Sequence, residues 1–149
     1  MLEPVAIRPA QPSDADAIAG LIAVLATDLG EPSAATADYV ANVVRSGACQ
    51  VVLAEGSGEV LGMVSFSYSP SFYHAANSCL IHELVVSPGA RSMGVGSRLL
   101  EHAIQLAQAH GCAEVSLAVM DSNAAARRFY ERHGFEADAI TMERHFSTE

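Results

Sequence analysis

The stretch His82-Glu83-Leu84-Val85-Val86-Ser87-Pro88-Gly89-Ala90-Arg91-Ser92-Met93-Gly94-Val95-Gly96-Ser97 decides how this chain reads. An apolar run of strand character stops at Pro88-Gly89, a glycine-rich loop follows, and a helical stripe begins at Val95. That stripe continues through Leu99, Ala103, Leu106 and Ala107, and Gly111 caps it. The start of a helix exposes main-chain N–H groups and the positive end of its dipole, which suits an anion. Gly94 and Gly96 have no Cβ, so an anionic group can approach the main chain closely, and Arg91 adds charge-assisted donors. The dinucleotide pattern GxGxxG is not met, because Leu99 stands where its third glycine belongs. No acidic residue stands about 20 positions on at the end of a following strand, where a ribose would be read.

Outward from this stretch, Ser78–Ser87 is the strand that feeds the loop. Before it, Gln50–Glu55 and Glu59–Tyr68 flank Gly56-Ser57-Gly58, a loop of the kind that closes a hairpin. Nearer the N-terminus, Val5–Arg8 reads as a short strand, and Ser13 with Asp16 resembles a capping box. Ile18, Leu21, Ile22, Leu25 and Leu29 then recur at helical spacing up to Gly30, and a second helix spans about Thr36 to Arg45. Beyond the glycine loop and its helix, Glu114–Met120 is expected as a strand. Asp121 or Ser122 is expected to cap a last helix through His133, and Ile140–Phe146 to form a final strand. The mixture of hairpin meander and strand–helix alternation implies an α/β (α+β) sheet with helices on both faces.

The 149 residues are enough for one core, half of them are hydrophobic, and the formal charge is −9. All eight basic residues are arginine. Without lysine there is no phosphate loop of the GxxxxGK type and no Schiff-base chemistry. The acidic balance also disfavours a nucleic-acid partner. Cys49, Cys79 and Cys112 form no CxxC pair, and the six histidines form no HExxH motif, so neither a disulfide frame nor a metal is expected. Met1-Leu2-Glu3-Pro4 lacks the basic and apolar regions of a signal peptide, and no apolar run reaches the ~20 residues of a membrane span. A cytoplasmic protein with no membrane partner is the expectation.

The loop Arg91-Ser92-Met93-Gly94-Val95-Gly96 fits the pattern R/Q-x-x-G-x-G/A, the pyrophosphate loop of the GNAT N-acetyltransferases. Glu83-Leu84-Val85-Val86-Ser87-Pro88 resembles the acidic-Leu-x-Val-x-Pro strand of that family. Asn123, Ala126, Phe129-Tyr130, Gly134 and Phe135 match its N-x-x-A-x-x-F-Y-x-x-x-G-F signature. Ser92 departs from the pattern, since many members have glycine there. The resemblance covers essentially the whole chain. It implies one domain over residues 1–149 with a mixed, mainly antiparallel sheet in the order βααβββαβαβ. It also implies a slot opened where the strand holding Leu84–Val86 splays from the one holding Val115–Val119.

What the resemblance implies about function is acetyl transfer from acetyl-CoA to a primary amine of a small molecule by direct attack. Leu84, Val85 and Val86 would line the pantetheine slot, with the Val86 N–H polarising the thioester carbonyl. Arg91, Ser92, Met93, Gly94, Val95, Gly96 and Ser97 would hold the pyrophosphate, and Asn123 and Tyr130 would add contacts. Tyr130 would be the general acid to the thiolate, and Arg127 and Arg128 stand in reach of a phosphate or simply on an exposed helix face. Glu83 is the candidate base, directly or through water, and strand alternation puts it on the face opposite His82 and Leu84. His82 is the alternative base. The acceptor site would draw on Tyr39 and Asn42, and on Phe66, Tyr68, Phe72, Tyr73 and His74. A looser similarity to aminoalkylphosphonate N-acetyltransferases would require a basic contact, for which Arg45 is the first-half residue at hand besides Arg8. A non-catalytic acyl-CoA sensor and a protein or peptide N-acetyltransferase stay open as alternatives. A homodimer through Ile140–Phe146 is a further expectation.

Overall fold

The computed structural model describes residues 4–147. Met1, Leu2 and Glu3, from which the absence of a signal peptide was read, lie outside them. The backbone divides into two compact units, one up to Leu117 and one from Ala118.

The larger unit is a five-stranded sheet in the order β1-β2-β3-β4-β5. Its strands are β1 (Ala6–Pro9), β2 (Gln50–Gly56), β3 (Glu59–Ser71), β4 (Ala76–Val86) and β5 (Glu114–Ser116). The first three pairings are antiparallel, whereas β4 and β5 run parallel through Ser78–Glu114, Cys79–Val115 and Leu80–Ser116 only. The helices are α1 (Ala15–Asp28), α2 (Ala37–Ser46) and α3 (Val95–Ala109). Among the described residues no helix is long and apolar enough to cross a membrane.

Alternation along the strands makes two cores. On one face, Leu53, Met63 and Val85 meet Ala15, Ile18 and Leu21 of α1 and Val40 of α2. On the other, the even positions of β2 and β3, among them Val52, Val64 and Phe66, belong to the buried set that also includes Val95, Leu99, Leu100 and Ala103 of α3. Gly62 sets how closely α3 approaches. A Cβ there would lie 2.8 Å from the Val85 carbonyl oxygen, 3.1 Å from Leu99 Cδ1 and 3.3 Å from Val95 Cγ1.

Helix ends follow local chemistry. Thr36 Oγ1 caps α2 by accepting from the Tyr39 N–H at 3.1 Å. The box at the entry to α1 forms two residues earlier than expected. Gln11 N–H donates to Asp14 Oδ2 at 2.7 Å, and a 3-10 turn, Pro12–Asp14, leads into the helix. Asp14 is fixed there because Arg8 donates to both of its oxygens at 2.9 Å, while Arg8 Nε donates to Glu55 Oε2 at 2.8 Å.

The smaller unit holds α4 (Ala124–Arg132), capped by Asn123 Oδ1 rather than by Asp121 or Ser122. Two sequence expectations are corrected here. The strand expected over Glu114–Met120 ends at Ser116, and Ile140–Phe146 forms no strand. Residues 140–146 do alternate, but Ile140, Met142 and Phe146 are exposed and no ladder pairs them among the described residues. Alternation is a property of the segment, whereas a strand needs a hydrogen-bonding partner.

Candidate active site

The β3–β4 ladder carries one irregularity, and it lies at the site. Ser65 pairs with Glu83 and Phe66 with Ile81, so His82 is an extra residue without a partner, a β-bulge. Before the bulge, Cys79 and Ile81 oppose Tyr68 and Phe66 on the α3 face. After it, Glu83 and Val85 oppose Ser65 and Met63 on the α1/α2 face. The bulge also overturns the expectation that His82 and Glu83 face opposite ways. His82 Nε2 lies 2.7 Å from Ser67 Oγ, and Ser67 shares a face with Ser65 by simple alternation along β3. Both candidate bases therefore stand on one face, each against a serine of β3.

Ser65 holds Glu83 twice. Its hydroxyl donates to Glu83 Oε1 at 2.7 Å and accepts from the Glu83 N–H at 3.0 Å, so it satisfies the amide beside the bulge. The half-buried carboxylate opens into a cavity of about 350 Å3 between the sheet and the α1/α2 pair. Ile18, Ile22, Leu25, Val40, Val44 and Met63 contribute its apolar walls, with Glu31, Tyr39, Cys49 and Ser65 also lining it. Burial, and then the Glu83 charge, push the Cys49 thiol up, so it stays neutral in that wall. Cys79 is pushed up to about 11, first by burial and then by Cys112. No thiolate at either position competes as a nucleophile at neutral pH.

A free strand edge runs from Glu83 towards the glycine loop. Ser87 N–H donates to the Leu61 carbonyl at 2.8 Å, and antiparallel alternation then turns the main-chain groups of Leu84 and Val86 away from β3. Past Leu80, β5 offers them no ladder partner. Arg91 Nε confirms the direction of the Val86 carbonyl by donating to it at 3.2 Å.

At the loop, Ser92 and Gly94 both adopt left-handed backbone, with φ of +69° and +77°. The first bond of α3 runs from Arg98 N–H to the Gly94 carbonyl at 3.1 Å, so Val95 and Gly96 lie in the open first turn of the helix. No other group lies within 4 Å of where a Gly94 Cβ would stand. An open helix start with no β-carbon at Gly94 or Gly96 suits a diphosphate. Met93 is exposed at the loop tip, and the Arg91 guanidinium is paired with Asp28 at 2.9 Å.

The other expected residues are placed as follows. Tyr39 stands at the cavity rim. Phe66 is 0% exposed on the α3 side, which makes it a core residue and not a substrate wall. Tyr68 stacks on His110 with centroids 3.9 Å apart and is outside the cavity lining. Phe72 and Tyr73 stand exposed in the β3–β4 turn, and His74 faces Glu114 at 3.6 Å. None of these three lines the cavity, and nor do Asn42 and Arg45, which bond each other at 2.9 Å. Ser65, Glu31 and Cys49 carried no signal in the sequence, because only strand register and the loop after α1 bring them to the cavity.

In the smaller unit, Tyr130 packs edge-on against Phe129 and Phe135, and the Phe135 N–H returns to the Tyr130 carbonyl at 3.1 Å. Burial pushes its phenol above the ordinary tyrosine value, so it keeps its proton at neutral pH. Arg127 is paired with Asp121 at 3.1 Å, while Arg128 is exposed.

The sheet thus carries helices on both faces, a strand edge left open beside a carboxylate pocket, and a glycine helix start. The Acetyltransferase (GNAT) family model matches residues 22–135, and the chain belongs to that family. It is 32% identical to an aminoalkylphosphonate N-acetyltransferase of Salmonella typhimurium over 87% of this chain and 84% of that one. It is also 32% identical to an uncharacterized N-acetyltransferase of Bacillus subtilis, over 59% of each chain, and so spans less than two thirds of that relative. Its fold matches the crystal structure of a transcriptional regulator from Bacillus halodurans C-125 with a TM-score of 0.84 and 25% identity, over 96% of this chain and 100% of that one.

Proposed function

We propose that this protein transfers the acetyl group of acetyl-CoA to the primary amine of a small molecule, with Glu83 as base and Tyr130 as acid. The observation that carries the reading is the Glu83 carboxylate, fixed by Ser65 in a small-molecule-sized cavity next to the open edge of β4. A neutral amine is the nucleophile, so the proton of the incoming ammonium must go to a base, and Glu83 takes it directly or through one water. The Leu84 main-chain groups and the Val86 N–H, left without a β5 ladder partner, suit an amide-rich pantetheine arm, and a Val86 N–H directed there supports polarisation of a thioester carbonyl. The diphosphate suits the α3 start over Arg91–Ser97. As the C–N bond forms and the C–S bond breaks, Tyr130 gives its proton to the departing thiolate, the acylated nitrogen loses its second proton through water to restore the phenol, and Asn123 would add a contact to the pantetheine. Self-association through residues 140–146 belongs to the same proposal, and a concentration-independent monomer mass in light scattering would refute it.

Thiol release from acetyl-CoA across a panel of amines tests the roles. Glu83→Gln and Tyr130→Phe are each expected to lower kcat/KM by about 10²–10⁴-fold, the range for positioned acid–base groups. His82→Gln is expected to leave turnover nearly unchanged. Full loss in that variant instead would move the base to His82. Unchanged turnover in Tyr130→Phe would remove the acid assignment, and a wild type silent on every amine would leave an acyl-CoA sensor.

A further inference from the structure

We propose that the acceptor is an apolar monoamine, with its ammonium at Glu83 and its hydrocarbon body between α1 and α2, rather than an amine carrying an anionic group. The inference rests on the acetyltransferase reading above and adds the substrate class. The cavity offers a carboxylate at its sheet end and aliphatic walls from Ile18, Ile22, Leu25, Val40, Val44 and Met63. Its other charged lining residue, Glu31, is also acidic, and no described lining residue is arginine or histidine.

No arginine of the larger unit lines the cavity, and each has a hydrogen-bond partner outside it. Arg8 is bound by Asp14 and Glu55, and Arg45 by Asn42. Arg91 is held by Asp28 and the Val86 carbonyl, and Arg98 donates to the Val5 carbonyl at 2.7 Å. A phosphonate or carboxylate seated in this cavity would be desolvated without a counter-charge and would face two glutamates, whereas an alkyl or aryl group there gains transfer free energy. The pocket chemistry therefore departs from the substrate named for the Salmonella relative.

The test compares phenethylamine, a series from ethylamine to hexylamine, and 2-aminoethylphosphonate on the full chain. Thiol release gives kcat/KM, and calorimetry gives binding independently of turnover. Phenethylamine is expected to exceed the phosphonate by about 100-fold or more in both readouts, the scale of leaving one charge unpaired. Each added methylene should strengthen binding roughly threefold to fourfold until the cavity is full. Equal or tighter binding of the phosphonate, a flat alkyl series, or no binding of any amine would overturn the inference. Tight binding of the apolar amines with no acetyl transfer would uphold it while removing the proposed catalysis.

Discussion

Ser65 and Glu83 form the smallest unit on which the proposed chemistry depends. One hydroxyl occupies both the carboxylate and the amide of the same residue, so the side chain and backbone of Glu83 are fixed together. Losing one such hydrogen bond corresponds to roughly 0.5–1.5 kcal/mol. Ser65→Ala is therefore expected to lower kcat by about 2–10-fold with KM little changed, and Ser65→Thr to restore most of it. Steady-state kinetics on the three proteins, with circular dichroism to confirm folding, would settle this, and an equal fall in Ser65→Thr would count against positioning. Ser92 gives a second residue-scale expectation. A non-glycine residue in left-handed backbone costs ~1–2 kcal/mol, less the extra freedom glycine gains when unfolded. Ser92→Gly should stabilise the fold by about 0.5–1 kcal/mol, read as a rise of about 1–4 °C in Tm.

At the scale of elements, β4 is decided by its bulge and α3 by its closeness to the sheet. Deleting His82 would remove the bulge and leave Ile81 opposite Phe66 and Glu83 opposite Ser65 in plain alternation, so Glu83 would keep the α1/α2 face. Gly62 is the point where α3 and β4 leave no room for a methyl group. Gly62→Ala is expected to cost about 1–3 kcal/mol by overpacking, and an unchanged melting curve would show that α3 can shift aside. Most element positions were legible beforehand, because the 3.6 and 2 periodicities of Ile18–Leu29, Val95–Ala107 and Glu59–Tyr68 are local. Glu83 and the glycine loop were legible for the same reason, being marked by residue type and order. Their surroundings were not, since a bulge leaves no trace in composition and alternation alone separated Glu83 from His82.

Across the whole larger unit, Arg8 links β1, β2 and the entry to α1 through Glu55 and Asp14. The guanidinium holds the Asp14 carboxyl below the usual carboxylate range, against the opposing effect of burial. A depressed folded value means that this contribution is complete above the unfolded carboxylate value of ~3.9 and fades as pH falls through the lower folded value. The wild type should therefore lose Tm progressively below about pH 4, with a shallower acid limb in Asp14→Asn. Thermal melts across that range would show it, and identical acid limbs would mean the pair does not contribute.

By itself, the order of residue types determined the strand, glycine loop and helix start, the family they belong to, and the positions of Glu83 and Tyr130, to which proton transfer is proposed. Such features are set within a few neighbouring residues, where sterics and periodicity act. Only the tertiary structure decided that His82 bulges, that Ser65 clamps Glu83, that Phe66 and Tyr68 turn to the α3 side, that residues 140–146 form no strand, and that the cavity is aliphatic with acidic groups. Each of those depends on which distant segment supplies a hydrogen-bond partner or a packing surface, and that information lies in strand register and not in any single stretch of chain.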